Sequence, residues 1–431
     1  MKPNVLVAQS GGPSPVINAS LQGVIDACQS YPEHFGTIFG AWRGVEGILY
    51  EELLDLTREA PREIQLLKHT PCAGAIGTCR YKLGPGQDDD FARILEVIRA
   101  HNIGWFFYIG GNDSMDTAHK VSLLARAHGI ELIVAGIPKT IDNDVGDPAF
   151  KLIDHTPGYG STARYWAYLI QNVNEENRGM STSECVTVFQ AMGRKSGFIP
   201  AAARLGDPHR EMPLQIYLPE SQHTLASLTD NVNAMLAARG RCIVIASEGF
   251  NVGSLGERHD AFGHIEYGAS ATTVTQVIVN HLNRVGLRAR GQVSGQVPGV
   301  LQRGVSLHAS RVDIDEAYEV ARHAVRVAVR EGTGWMATLL RAPEEQYRIQ
   351  YAHVPLEAVA NTVRTLPPAW LSADQLDVTD DFVRYAQPLI GDGPPAVVYE
   401  NGLQRFARLQ RIFVAKQLPA YTPHCVRRAY M

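Results

Sequence analysis

LIVAGIPKTIDND, residues Leu132 to Asp144, joins an apolar run to a cluster of reactive groups, and the fold is read from it. Leu132 to Ile137 is the kind of run that fills a parallel strand buried on both faces. Pro138 cannot donate to a sheet ladder and so ends the strand. Behind it, Lys139, Thr140, Asp142 and Asp144 put an amine, a hydroxyl and two carboxylates within six residues. Open α/β sheets bind ligands at the carboxyl ends of their strands. Phosphoryl transfer there needs a cation on the moving phosphate, a carboxylate for the acceptor's proton, and oxygens near a metal. Asp-Asn-Asp is also ordinary turn chemistry, so this segment alone leaves a structural turn as the alternative.

The same unit recurs on either side. Val5 to Ala8 reads as a buried strand, followed by Gln9-Ser-Gly-Gly-Pro-Ser-Pro15 and a helical stripe at Ile17, Leu21, Val24, Ile25 and Cys28. Ser14 and Pro15 suggest a cap and a first-turn proline, which places Gly11 and Gly12 where free backbone amides attract phosphate. Trp105 to Ile109 leads through Gly110-Gly-Asn-Asp-Ser114 into a helical pattern from Met115 to Ala127. Glu184 to Phe189 and Arg241 to Ala246 are two further strands, each ending in polar residues. Repeated βα units predict an α/β fold of doubly wound, Rossmann-like parallel sheets with right-handed crossovers. Gly146-Asp-Pro148 and Gly158-Tyr-Gly160 mark a crossing into a second lobe, and the helical pattern from Ile314 to Arg330 marks a return. The expected division is residues 1–145 plus about 305–431 in one lobe and 146–304 in the other, with the active site in the cleft. Ala396 to Gly402 reads as a hairpin turned at Asn401-Gly402.

Bulk properties exclude several classes. A chain of 431 residues, 45% hydrophobic and 19% charged, is long enough for roughly two to three domains with large cores. A net charge of −4 lacks the basic excess of a nucleic-acid or membrane-surface protein. No apolar run approaches the ~18 residues of a membrane span, and the amino terminus lacks a signal-peptide core. The six cysteines form no CxxC, so neither a disulfide framework nor a zinc site is implied, and a cytoplasmic location is expected. The absence of GxGxxG with a ribose-binding acid about twenty residues on disfavours a nicotinamide dehydrogenase.

Four segments in order, Ser10-Gly-Gly-Pro13, Gly77-Thr-Cys-Arg80, Gly110-Gly-Asn-Asp-Ser114 and Pro138 to Asp144, resemble one family. Met192-Gly-Arg194, Glu248 and Gln302-Arg-Gly304 continue the series, and together they resemble the 6-phosphofructokinases over about residues 4 to 304. The resemblance implies an enzyme with two α/β lobes. It implies transfer of a phosphoryl group to the 1-hydroxyl of fructose 6-phosphate, with Mg²⁺ as cofactor, in a homo-oligomer, dimer or tetramer. Asp142 would take the hydroxyl proton, Thr140 and Asp144 would hold the reacting groups, and Arg80 would neutralise the transferring oxygens. Gly11 and Gly12 would cradle the donor, and Asn112 and Asp113 would face the metal. Met192, Gly193, Arg194, Glu248, Val300 and Arg303 would contact the sugar phosphate. Retention of Asp142 argues against a silent regulatory subunit of the same fold.

Two positions bear on the donor. ATP-using members of the family carry glycine where this chain has Asp113 and again where it has Lys139, whereas pyrophosphate-using members resemble it at both. A carboxylate at 113 would repel the innermost phosphate of a nucleotide at a cost of several kcal/mol, and Lys139 offers a point charge to compact pyrophosphate. The expectation is a reversible pyrophosphate-dependent 6-phosphofructokinase, with an ATP-dependent sugar kinase as rival. Asn112 stands where an aspartate usually helps hold Mg²⁺. Cys185 and Ser294 stand where ATP-using relatives place arginines for the 6-phosphate, Val300 replaces a histidine or tyrosine, and Arg288 or Arg290 are candidate substitutes. Gln22 and Asp26 occupy positions of effector-binding arginines, so no such allosteric control is expected.

Overall fold

The computed structural model describes residues 2–84, 86–256, 270–360, 362–394 and 397–429. Its strands are β1 (Asn4–Gln9), β2 (Ile38–Ala41), β3 (Leu53–Asp55), β4 (Ile103–Gly110), β5 (Ile133–Pro138), β6 (Val186–Ala191), β7 (Leu214–Tyr217) and β8 (Cys242–Ser247). They continue with β9 (Val293–Gln296), β10 (Trp335–Arg341), β11 (Ile349–Pro355), β12 (Tyr399–Glu400) and β13 (Leu403–Gln404). The larger sheet runs β11-β10-β5-β4-β1-β2-β3, and the smaller runs β7-β8-β6-β9. All neighbours pair in parallel except the two edges of the larger sheet, β10 with β11 and β2 with β3. These are the two parallel-sheet lobes expected from the repeated βα pattern.

Burial explains which strands announce themselves. Val5, Leu6, Val7 and Ala8 are all at 0% exposure, as are Cys242 to Ala246, and each Val, Leu or Ile side chain among them contributes ~1.5–3 kcal/mol on leaving water. Register then sets the site. Gln9 pairs with Ile109 and Gly110 with Pro138, so the chains leaving β1, β4 and β5 emerge side by side. In the smaller sheet Ala191 is level with Ser247, so Met192 and Glu248 leave together.

The helix Arg311–Glu331 lies along Ile17–Gln29, where Gly23 allows close approach: a Cβ there would stand 3.0 Å from Ala321 Cβ. The helix Tyr159–Met180 carries Tyr159, Trp166 and Ile170 into the core of the smaller sheet. Asp313 supplies the missing N-terminal partners of that helix, accepting from the amides of Gly158 and Ser161 at 2.8 Å each.

The return segment divides between the two cores. Leu366, Val378, Phe382, Tyr385 and Leu389 join the second, while Ala407 and the partly buried Leu409, Val414 and Leu418 rejoin the first. The three-to-four-residue spacing of Phe382, Tyr385 and Leu389 gives the helix Asp380–Ile390 an apolar side that only the second core covers. Residues beyond 305 therefore do not all return to the first lobe. The hairpin is present as β12 and β13 with Asn401 and Gly402 at φ 52° and 79°; Ala396 lies outside the described residues. Ser14 is not a helix cap. The first helix starts at Ile17 with Val16 at its N-cap, and Ser14 is buried with its carbonyl accepting from the Cys72 amide at 3.1 Å. The cysteines are unpaired, and no helix of the described residues is long and apolar enough to cross a membrane.

Candidate active site

The loops that leave β1, β4, β5 and β6 meet around a cavity of about 410 Å³. They bring Ser10, Gly11 and Gly12, then Gly111, Asn112 and Asp113, then Lys139, Thr140, Asp142 and Asp144, then Arg194, Lys195 and Ser196 to one wall. Ser114, Arg80, Tyr81, Lys82, Thr362 and Val363 complete the lining. Cations at 80, 82, 139, 194 and 195 outnumber carboxylates at 113, 142 and 144, a balance that suits a polyanion.

Two glycines let cations lie on the backbone. Gly11 has φ +77°, and a Cβ on it would stand 3.3 Å from Lys139 Nζ; one on Gly12 would overlap the Arg303 guanidinium. Lys139 is 3% exposed and donates to the Gly12 carbonyl at 2.7 Å. Burial, and then the Arg303 charge beside it, pull its ammonium down to about 7. Arg303 thus reaches from beyond β9 to the β1 loop, with Arg80 alongside.

The carboxylates are set by the turn between them. Asp142 donates its amide to Thr140 Oγ1 at 3.1 Å, and Asn143, wholly buried, adopts φ 56°. Burial pushes the Asp142 carboxyl up, opposed by Arg194 and Lys139. Burial and then the Asp142 charge push Asp144 up to about 7. Glu248 is likewise raised to about 7 by burial and Asp142, and it faces Arg194 at 3.7 Å. The segment is a turn, as its composition allows, and its two carboxylates line the cavity.

Asn112 and Asp113 open the helix Asn112–Ala127. Asn112 Oδ1 is buried without a hydrogen-bond partner, and its Nδ2 reaches the Asp144 carbonyl at 3.5 Å. An orphaned oxygen beside carboxylates fits a hard cation. No group of three or more His, Cys, Asp and Glu among the described residues could hold a metal by itself. Mg²⁺ usually keeps several waters and binds through one or two carboxylates plus substrate phosphates, which matches so sparse a donor set. Asp113, half exposed, pairs with Lys82 at 2.8 Å.

The second-lobe residues are tied together just behind this wall. The Met192 amide donates to Gln302 Oε1 at 3.0 Å, and Gly193, at φ +107°, accepts from Ser247 Oγ at 2.5 Å. Gln302 also accepts from Trp166 Nε1 at 3.0 Å, which fixes the turn carrying Arg303. Val300 is 63% exposed and does not line the cavity. Arg288 and Arg290 are exposed before β9 and do not line it either. Cys185 is fully buried, and Ser294 sits on β9 level with Thr187. Sequence reasoning missed Lys82 and Lys195, whose signal was their closeness to Arg80 and Arg194. It also missed Thr362 and Val363, which nothing local identifies.

Parallel-sheet lobes that enclose carboxylates and cations at their strand ends define a phosphate-handling α/β enzyme. The sequence model of the phosphofructokinases matches residues 4–328, and the chain belongs to that family. It is 36% identical over 429 residues to the pyrophosphate–fructose 6-phosphate 1-phosphotransferase of Methylococcus capsulatus, covering 97% of this chain and 98% of that one. It is 37% identical over 428 residues to the protein of the same name from Xanthomonas campestris pv. campestris, covering 97% and 99%. The crystal structure of the pyrophosphate-dependent phosphofructokinase from Marinobacter aquaeolei superposes with a TM-score of 0.86 at 34% identity, over 98% of this chain and all of that one.

Proposed function

We propose that the chain transfers a phosphoryl group reversibly from pyrophosphate to the 1-hydroxyl of fructose 6-phosphate, giving fructose 1,6-bisphosphate and phosphate. The observation that carries the reading is the gathering of Asp142, Asp144 and buried Lys139 around one cavity, with Asp113 at the start of the helix Asn112–Ala127. Asp142 takes the proton as the hydroxyl attacks phosphorus. A carboxyl pushed up by burial is a better base than an ordinary one, so this site asks less of the transition state than a carboxylate near 4 would. Thr140 and Asp144 hold the acceptor hydroxyl, and Arg80 and Lys139 carry charge that spreads over the transferring oxygens. The Gly11 and Gly12 backbone bears the donor. Met192, Gly193, Arg194 and Glu248 hold the sugar, and Arg303 its 6-phosphate.

Mg²⁺ would be held by Asn112 Oδ1 and the Asp113 carboxylate, and when bound it would neutralise charge on the donor oxygens. Asp113 crowds the space of a nucleotide's inner phosphate, which favours pyrophosphate over ATP. The first lobe then serves the donor and the second the sugar phosphate. Effector control is absent from this reading. Gln22 and Asp26 are engaged by the Lys68 amide at 2.9 Å and Tyr318 Oη at 2.8 Å, so the helix Arg311–Glu331 covers that face. A homo-oligomer would cover exposed Val297, Val300 and Leu301, and light scattering reads its size. Fructose 6-phosphate and Mg²⁺ with pyrophosphate or ATP, each alone, test the reading. Product with pyrophosphate and little or none with ATP is expected, and equal use of ATP overturns the donor assignment.

A further inference from the structure

Arg364 is fully buried and lies beyond the residues matched by the family model. Its Nε and Nη2 donate to the Asn143 carbonyl at 3.1 and 3.0 Å, Nη2 also to Asn143 Oδ1 at 2.9 Å, and Nη1 to the Ile153 carbonyl at 2.7 Å. Its own amide donates to the Asp144 carbonyl at 2.7 Å, and the guanidinium stands 4.3 Å from the Phe150 ring centre. A rigid, permanently charged fork is thus spent on the backbone of the segment between Asp142 and Asp144.

That segment needs holding. Asn143 has φ 56°, a left-handed conformation that Asn reaches more easily than other non-glycine residues and that its surroundings hold in place. Its side chain is engaged at both ends. Nδ2 donates to Tyr385 Oη at 2.9 Å, Oδ1 accepts from the Thr156 amide at 3.0 Å, and Tyr385 in turn donates to the Asp154 carbonyl at 2.8 Å. Asp142 and Asp144 are attached directly to this residue, so a change in its backbone swings both carboxylates at once. Thr362 and Val363, on the same short segment as Arg364, line the cavity themselves. Leu366 and Gly197 both donate their amides to Glu220 Oε1, at 2.9 and 3.0 Å, which ties the segment to the loop bearing Lys195 and Ser196.

We infer that Arg364, braced by Tyr385, is a positioning residue that locks Asn143 in its left-handed turn and thereby aims Asp142 and Asp144 at the reacting groups. The inference rests on the proposed roles of those two carboxylates. It makes Arg364 a part of the active site that acts through the loop and does not touch the reacting groups. A displacement near 1 Å can cost about a hundredfold in rate with little effect on binding, which fixes the signature to look for.

The test uses the full chain with Arg364→Lys, Arg364→Met and Tyr385→Phe, reading kcat, both KM values, Tm and amide hydrogen exchange at residues 141–145. Arg364→Met should lower kcat by about 30- to 100-fold with KM changed by less than about threefold, and Arg364→Lys should fall between it and the parent. Tyr385→Phe should remain folded, exchange the loop amides faster and lose about 3- to 10-fold in kcat. Lower Tm with unchanged kcat per folded molecule would reduce Arg364 to a structural residue and overturn the inference. So would parental exchange and kcat in Tyr385→Phe, which decides the matter even if the Arg364 variants do not fold. A parent that fails to phosphorylate fructose 6-phosphate refutes the functional reading instead, and loop exchange still reports whether Arg364 holds the turn.

Discussion

Lys139→Met isolates the charge on which donor use depends. Lys139 is 3% exposed, its ammonium touches the Gly12 carbonyl at 2.7 Å, and burial with Arg303 holds it down to about 7. A charge-assisted contact of this kind contributes about 2–3 kcal/mol, so at pH 6, where the amine is protonated, kcat/KM for pyrophosphate should fall by roughly 30- to 150-fold. At pH 8 only about a tenth of the free enzyme carries the proton, and the parent's advantage should shrink to roughly 3- to 15-fold. Because kcat/KM reports the free enzyme, the ratio of parent to variant across pH 6 to 9 cancels the ionisation of pyrophosphate itself. Lys139→Arg keeps its charge throughout and should lose this dependence whatever its absolute rate. A stopped assay of sugar bisphosphate against pyrophosphate concentration gives the ratio. A parent-to-variant ratio that stays flat over this range, or a loss below about threefold at pH 6, would refute the assignment.

Asp142→Asn should lower kcat by roughly two to four orders of magnitude with a much smaller change in the KM of fructose 6-phosphate; near-parental kcat removes Asp142 from the mechanism. Asn112→Asp should keep activity and lower the Mg²⁺ concentration giving half-maximal rate, since it adds a hard anionic ligand; an unchanged Mg²⁺ titration places Asn112 away from the ion. Asp113→Gly should open weak ATP-dependent turnover with a modest loss with pyrophosphate, and no ATP turnover at millimolar nucleotide would show that the carboxylate is not the block. Burial alone would lower the pKa of His155, but Glu316 at 2.7 Å and Asp154 at 2.9 Å overcome it and raise it to about 9. With the folded value above the unfolded one near 6.5, this stabilisation is fully present below about pH 6.5 and is lost as pH rises through about 9, by up to roughly 3 kcal/mol. Denaturant titrations should show that decline in the parent and not in His155→Gln.

Five strands buried on both faces are legible in the sequence, whereas short or half-exposed ones such as β7 and β11 are not. β1, β4, β5, β6 and β8 are near-continuous apolar runs. β11 is half-exposed along most of its length, and β7 has four residues, so neither breaks periodicity strongly enough to be read. Ser14 has the chemistry of a helix cap, yet the Cys72 amide engages its carbonyl from outside the loop, and a local rule cannot see that partner. The loop residues of the site were legible because each follows a strand at fixed register, so that Gly12, Asp113 and Lys139 come together once the strands do. Arg364 was not, because its bonds to Asn143 span 221 residues and arise only when the return segment packs between the lobes. Val300, placed at the sugar site by a motif position, is 63% exposed at the N-cap of the helix Leu301–Gly304 that carries Arg303.

The most direct test is a phosphorus NMR time course of the protein with Mg²⁺, fructose 6-phosphate and pyrophosphate. The account predicts loss of the pyrophosphate signal with equal growth of inorganic phosphate and of a phosphate on the sugar 1-hydroxyl, and reappearance of pyrophosphate when fructose 1,6-bisphosphate is mixed with phosphate. Two phosphates per pyrophosphate with no new sugar ester would mean that water is the acceptor, and would contradict it.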